Sequence, residues 1–215
     1  MAREIGNEIS KSRMEMLTDG VFAIVMTLLV LEITVPQLSH SEVAEVASEL
    51  PNQLLELWPV VLSYAMSFIL LGFFWIYHHD QFHYIKRVNR ILVWTTIFYV
   101  MIIAFIPFST SLLGEYGDQQ ISVVIYGINI AMAAFVAYVQ WWYAARNHRL
   151  VDSDLDPVFI KIMSRRGLVG PIIYLIAIGI SFISIQISLI FYIAIPLYYL
   201  VPARKGKSWF WFTRE

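Results

Sequence analysis

Four stretches of this chain run for more than 20 residues without a charged side chain: residues 57–77, 91–113, 121–145 and 167–203. An α-helix rises about 1.5 Å per residue and the hydrocarbon of a bilayer is about 30 Å thick, so roughly 20 apolar residues make one crossing. The first three runs each suit one helix. The fourth, at 37 residues, would overshoot the bilayer as a single helix and is best cut near Ser184 into two short crossings joined by a tight turn. With the shorter apolar segment 18–32, the expectation is an all-α integral membrane protein of six transmembrane helices, near 14–35, 55–79, 89–113, 120–146, 166–184 and 186–203, forming one domain over 1–215. Composition agrees: 59% of residues are hydrophobic, 14% are charged, and mean hydropathy is +0.65. The absence of cysteine excludes disulfides and thiolate metal sites.

The basic residues orient these helices. Arg3, Lys11 and Arg13 precede the first; Lys86, Arg87 and Arg90 lie between the second and third. Arg146, Arg149, Lys161, Arg165 and Arg166 follow the fourth, and Arg204, Lys205, Lys207 and Arg214 follow the sixth. These account for all 15 Lys and Arg, and every one falls on the same side of a six-helix chain. The positive-inside rule makes that side, with both termini, cytoplasmic. Aromatic clusters at Trp141, Trp142, Tyr143 and at 209–212 mark the same boundary. A near-neutral net charge gives no footprint for nucleic acid.

The first segment is too short for an ordinary lipid-facing helix. Only 12 uncharged residues separate Asp19 from Glu32, or roughly 18 Å. A secretory leader is opposed by acidic Glu15 and Asp19 and by the lack of a small-x-small site after the stretch. Polar helix ends are tolerated at membrane depth where the helix is buried in protein or borders water. Leu17, Val21, Ile24, Leu28 and Leu31 recur at spacings of 4, 3, 4 and 3, the seam of a helix that meets its copies or close neighbours. Two readings follow: ordinary helix packing, or a pore in which Ile24, Leu28 and Leu31 stack as apolar rings around an axis.

The segment Arg13-Met14-Glu15-Met16-Leu17-Thr18-Asp19, continuing through Gly20-Val21-Phe22-Ala23-Ile24 and Thr27-Leu28-Leu29-Val30-Leu31-Glu32-Ile33, resembles the first-helix signature of the transmembrane protein 175 family of potassium channels. That signature is Arg, three residues, then Phe-Ser-Asp, leading into an apolar helix. Leu17 stands where the family has Phe, and Thr18, which keeps the hydroxyl, where it has Ser. A single six-helix unit is similar to the prokaryotic members, and the resemblance implies a homotetramer in the inner membrane of a prokaryote. It further implies a pore lined by the first helix, a constriction at Ile24, Leu28 and Leu31, a contribution of Thr27 to selectivity, and a polar network of Arg13, Thr18 and Asp19.

Arg13 and Asp19 lie six apart, a poor spacing for contact along one helix, so each is expected to meet partners on other helices. Tyr77, His78, His79 and Asp80 at the end of the second helix are the candidates, His78 foremost. His79 and His83, four apart, form only a weak metal motif, and no metal or other cofactor is expected beyond permeant K+. Residues 41–50 read as an amphipathic helix with Glu42, Glu45 and Glu49 on one face. The default is a solvated face; around a fourfold mouth the same acids with Glu32 would enrich cations. Asn129 and Pro107 read as packing details without clear partners.

No enzyme motif appears: the spanning segments carry no carboxylate pair, zinc motif or nucleotide-binding glycine loop. The Thr-Val-Gly-Tyr-Gly filter is also missing, so any preference for K+ over Na+ must be modest and come from dehydration at apolar rings. The reading is a potassium-permeable cation channel in a lipid bilayer, passing monovalent cations. The alternatives are a secondary transporter or a non-conducting structural membrane protein.

Overall fold

A computed structural model describes residues 10–36 and 43–200, without the side chains of 43–46 and 193–200. The basic C-terminal residues, the aromatics at 209–212, Arg3 and Glu42 lie outside the described residues. Among the described residues eight α-helices follow one another: α1 Lys11–Leu28, α2 Val43–Glu56, α3 Trp58–Tyr84, α4 Arg90–Ala104, α5 Ile106–Glu115, α6 Gln120–Ala145, α7 Pro157–Ser181 and α8 Ile185–Leu200. A short 3-10 turn extends α1 through Glu32, and α6 ends in a tight turn over Arg146–His148. Among the described residues, five stretches are long and apolar enough to cross a membrane: Lys11–Glu32, Trp58–Tyr84, Arg90–Glu115, Gln120–His148 and Pro157–Ser181. The molecule is an all-helical membrane protein.

Local chemistry sets the helix boundaries. Ser10, Asn89 and Asp156 each accept a hydrogen bond from a first-turn amide, capping α1, α4 and α7. The long C-terminal apolar run turns at 182–184, where the Ser184 hydroxyl accepts from Ile187 N. Helix α7 starts at Pro157, earlier than the sequence suggests, because Asp156 and Pro157 form a good helix start inside the basic connection. Helix α2 likewise runs on past Leu50 through Pro51 to Glu56, next to the start of α3.

The third crossing is broken. Pro107 has no N–H, and the chain changes direction at Phe105 between α4 and α5. Asn129 of α6 is inserted at the break. With its amide oriented to satisfy both ends, Nδ2 donates to Ile102 O at 3.1 Å, and Oδ1 accepts from Ile106 N at 3.3 Å and Ser109 Oγ at 2.9 Å. Ile102 O and Ile106 N are the pair that an unbroken helix would join directly. Close by, Ser67 of α3 ties α5 and α6 together, accepting from Thr110 at 2.8 Å and sharing a 3.1 Å bond with the Tyr126 hydroxyl.

Helix α6 is the hub and pairs most extensively with α7. Its buried Ala131, Ala133, Ala134, Ala137, Ala144 and Ala145 keep its surface thin, and Ala134 meets Gly170 of α7, which is how apolar helices associate in lipid. Gly127 on the same helix lies against Tyr192 of α8, whose hydroxyl donates to Val123 O at 3.3 Å. Around the outside, Trp94, Phe98, Met101, Phe105 and Phe108 of the third crossing are exposed, a surface suited to lipid rather than water.

Candidate functional site

Helix α1 has two faces of opposite character. Met14, Thr18, Phe22, Val25 and Leu29 are buried against α3 and α4, all at 3% exposure or less. The seam lies roughly a quarter turn away and is uncovered except at Val21, which is half-buried against the core: Leu17 is 48% exposed, Ile24 60%, Leu28 42% and Leu31 69%. Thr27 is exposed beside it, and its hydroxyl donates to Ile24 O at 2.7 Å. That bond uses the proton within the helix, leaving the oxygen lone pairs as acceptors. Thr18 does the same from the buried face, donating to Met14 O at 3.0 Å, so its hydroxyl is satisfied within the helix.

Asp19 finds its partner on the second crossing, but at a residue the sequence did not single out. Trp75 Nε1 donates to Asp19 Oδ1 at 2.8 Å, and the Trp75 indole packs against His79 at 5.9 Å between ring centroids. His78, one position before His79, faces another way. It is buried in a stack with Phe82 at 4.3 Å and Tyr99 at 5.4 Å, and Tyr99 in turn packs on Phe22 of α1. Trp75 was discoverable in principle: a lone indole donor one turn from a predicted acidic partner needs an acceptor in a medium without water. Arg13 is exposed in the first turn, and its side chain has no partner among the described residues. The Asp19–Trp75 bond should appear as a coupling. Asp19→Asn and Trp75→Phe are each expected to lower unfolding stability, while the double variant loses less than their sum by about 1 kcal/mol. Strictly additive losses on thermal unfolding in detergent would remove the bond from the account.

At the other end of α1, Glu32 is half-buried in the 3-10 turn and Glu49 is exposed on α2. The backbone of Glu45 belongs to α2, its side chain lies outside the description, and Glu42 lies outside it altogether. An open crevice of about 440 Å³ separates the end of α1 from α2, lined by Thr34, Val35, Pro36, Gln53, Glu56 and Leu57. Among the described residues no three His, Asp or Glu side chains gather as a metal would require.

The first helix of this membrane protein thus buries one row of side chains and leaves another largely uncovered, beside a carboxylate held by a neighbouring indole. Comparison with known proteins gives the family. Residues 13–107 match the family described as endosomal/lysosomal potassium channel TMEM175. A potassium channel of Chamaesiphon minutus is 35% identical over 86% of this chain and 91% of its own. A potassium channel of Streptomyces collinus is 30% identical over 91% of this chain and 97% of its own. The crystal structure of a lysosomal potassium-selective channel TMEM175 homolog from Chamaesiphon minutus superimposes with a TM-score of 0.77 at 30% identity, over 88% of this chain and 96% of that one. The chain belongs to the TMEM175 family, a family of ion channels and not of enzymes.

Proposed function

We propose that this protein is a potassium-permeable cation channel, a homotetramer whose pore is lined by α1 of each subunit. The observation that carries the reading is the uncovered row on α1, set against the buried row of the same helix. Around a fourfold axis, Ile24, Leu28 and Leu31 form successive apolar rings that strip part of a cation's hydration shell, and Na+ gives up its water less readily than K+. Thr27 places a row of hydroxyl oxygens beside the same rings. At the basic end the Asp19–Trp75 bond fixes α1, His78 supports it through Tyr99, Thr18 is satisfied within the helix, and Arg13 is left to meet a neighbouring copy. Glu32, Glu42, Glu45 and Glu49 enrich cations at the opposite mouth. The described part of α8 supplies the sixth crossing, both termini are cytoplasmic, and the membrane is the inner membrane of a prokaryote. The names of the two bacterial relatives described above support K+ as the permeant ion.

The test is the reversal potential of purified protein in a planar bilayer with K+ on one side and Na+ on the other, repeated for Leu28→Ala. The expected result is a K+-directed reversal that moves toward zero in the variant, because a wider ring removes less water. No current from either protein, with the tetramer intact, would replace the channel with a transporter or a structural membrane protein.

A further inference from the structure

The two basic connections do not hang separately from the helix ends. Lys86 N and Arg87 N both donate to Leu150 O, at 2.8 and 3.1 Å, and Ile85 forms a short antiparallel bridge with Val151. One nitrogen of the Arg87 guanidinium adds bonds to His148 O at 2.7 Å and Val151 O at 3.0 Å. This clasp holds Asn147 and His148 in left-handed backbone geometry, with φ of 53° and 51°. That conformation is unfavourable for two successive non-glycine residues and persists only where the surroundings impose it. Its effect is to set arginines on both sides of a tight turn. The Arg146 guanidinium lies 4.9 Å over the ring of Trp142, and that of Arg149 lies 4.3 Å over the ring of Tyr143.

No carboxylate among the described residues forms an ion pair with Arg87, Arg146 or Arg149, although Asp152, Asp154 and Asp156 follow in the same connection. Asp156 is engaged as the cap of α7. The neighbouring helix ends carry exposed apolar side chains: Trp142, under Arg146, is 42% exposed, and on α4, whose Asn89 cap donates to the Tyr143 hydroxyl at 2.8 Å, Ile91 and Trp94 are 52% and 57% exposed. Guanidiniums laid on aromatic rings at the end of a crossing, beside exposed apolar side chains, offer one face to a phosphate and the adjoining face to acyl chains. A soluble phosphate would use the first and leave the second idle.

We propose that this clasp is a binding site for the headgroup of an anionic phospholipid, with Arg146 and Arg149 holding the phosphate and Arg87 fixing the turn that presents them. The site does not depend on the pore, and its test is read without ion flux. The full-length protein is exchanged into mixed micelles of phosphatidylglycerol and phosphatidylcholine, and the lipid it retains is counted by native mass spectrometry. Wild type is expected to retain phosphatidylglycerol preferentially. Arg146→Gln and Arg149→Gln should each weaken that preference about fivefold, the worth of one basic side chain at an anionic surface. Thermal unfolding in phosphatidylcholine alone should be unchanged in both variants. Millimolar glycerol 3-phosphate is expected not to displace the lipid. Equal retention of the two lipids by wild type, an undiminished preference in variants that fold as wild type does, or full displacement by glycerol 3-phosphate would each overturn the proposal. If a glutamine variant fails to fold, wild type alone decides: raising KCl from about 50 to about 500 mM must erode the preference, since the contact is electrostatic, and a salt-independent preference counts against the site.

Discussion

Gly127→Ala is expected to lower the stability of the subunit by about 2 kcal/mol, and Gly127→Val to prevent folding. In an isolated helix alanine would be favoured over glycine by up to about 1 kcal/mol. Here that gain is outweighed. A Cβ at position 127 would overlap the Tyr192 hydroxyl and come within 2.6 Å of Ile178 Cγ1. Tyr192 has little room to retreat: it is buried, its hydroxyl donates to Val123 O, and its ring packs against both Tyr126 and Tyr174. Combining Gly127→Ala with Tyr192→Phe should recover part of the loss, because the phenylalanine lacks the atom that collides. Thermal unfolding in detergent, with recovery of monodisperse protein as a second readout, checks both results. A neutral Gly127→Ala would mean that α6 and α8 do not approach as closely as described.

The second large effect is expected at Asn129. Its replacement by leucine keeps a similar shape but leaves Ile106 N buried with neither Asn129 nor water available to it, while Ile102 O keeps only the bond from Phe105 N at 3.2 Å. A stranded buried donor costs about 1–3 kcal/mol, so Asn129→Leu should lose about that much. Pro107→Ala alters this sum. With an N–H restored at 107, α4 and α5 can join as one helix, and Ile106 N can bond Ile102 O directly. Asn129→Leu is therefore expected to do less damage in the Pro107→Ala background than in wild type. Equal damage in both backgrounds would show that the asparagine acts elsewhere than at the break.

That pair also marks what the sequence could disclose. Long charge-free runs and one-sided basic residues are one-dimensional properties, and the membrane character of the fold follows from them without knowledge of packing. The turn at 182–184 was accessible for the same reason, since a run of that length has to reverse. Pro107 and Asn129 were visible individually, but their relation was not: they lie on different crossings, and only the packing of α6 against α4 and α5 brings them together. At the candidate site, the heptad row on the first helix was readable from spacing. The partner of Asp19 was placed on the correct helix but not at the correct residue, because choosing Trp75 over His78 depends on the rotation of α3 about its axis. The clasp between the two basic connections left no trace in the charge pattern, being made chiefly of backbone bonds.

The division of α1 into a sunken row and an uncovered row also bears on how such a protein can change over generations. Substitutions at Phe22, Val25 or Leu29 disturb the core that holds the subunit together, and most will be lost through misfolding. Substitutions at Ile24, Leu28 or Leu31 remove few contacts within the subunit and leave its fold largely untouched. Those side chains can thus be exchanged one residue at a time, while the helix carrying them stays anchored by its other side.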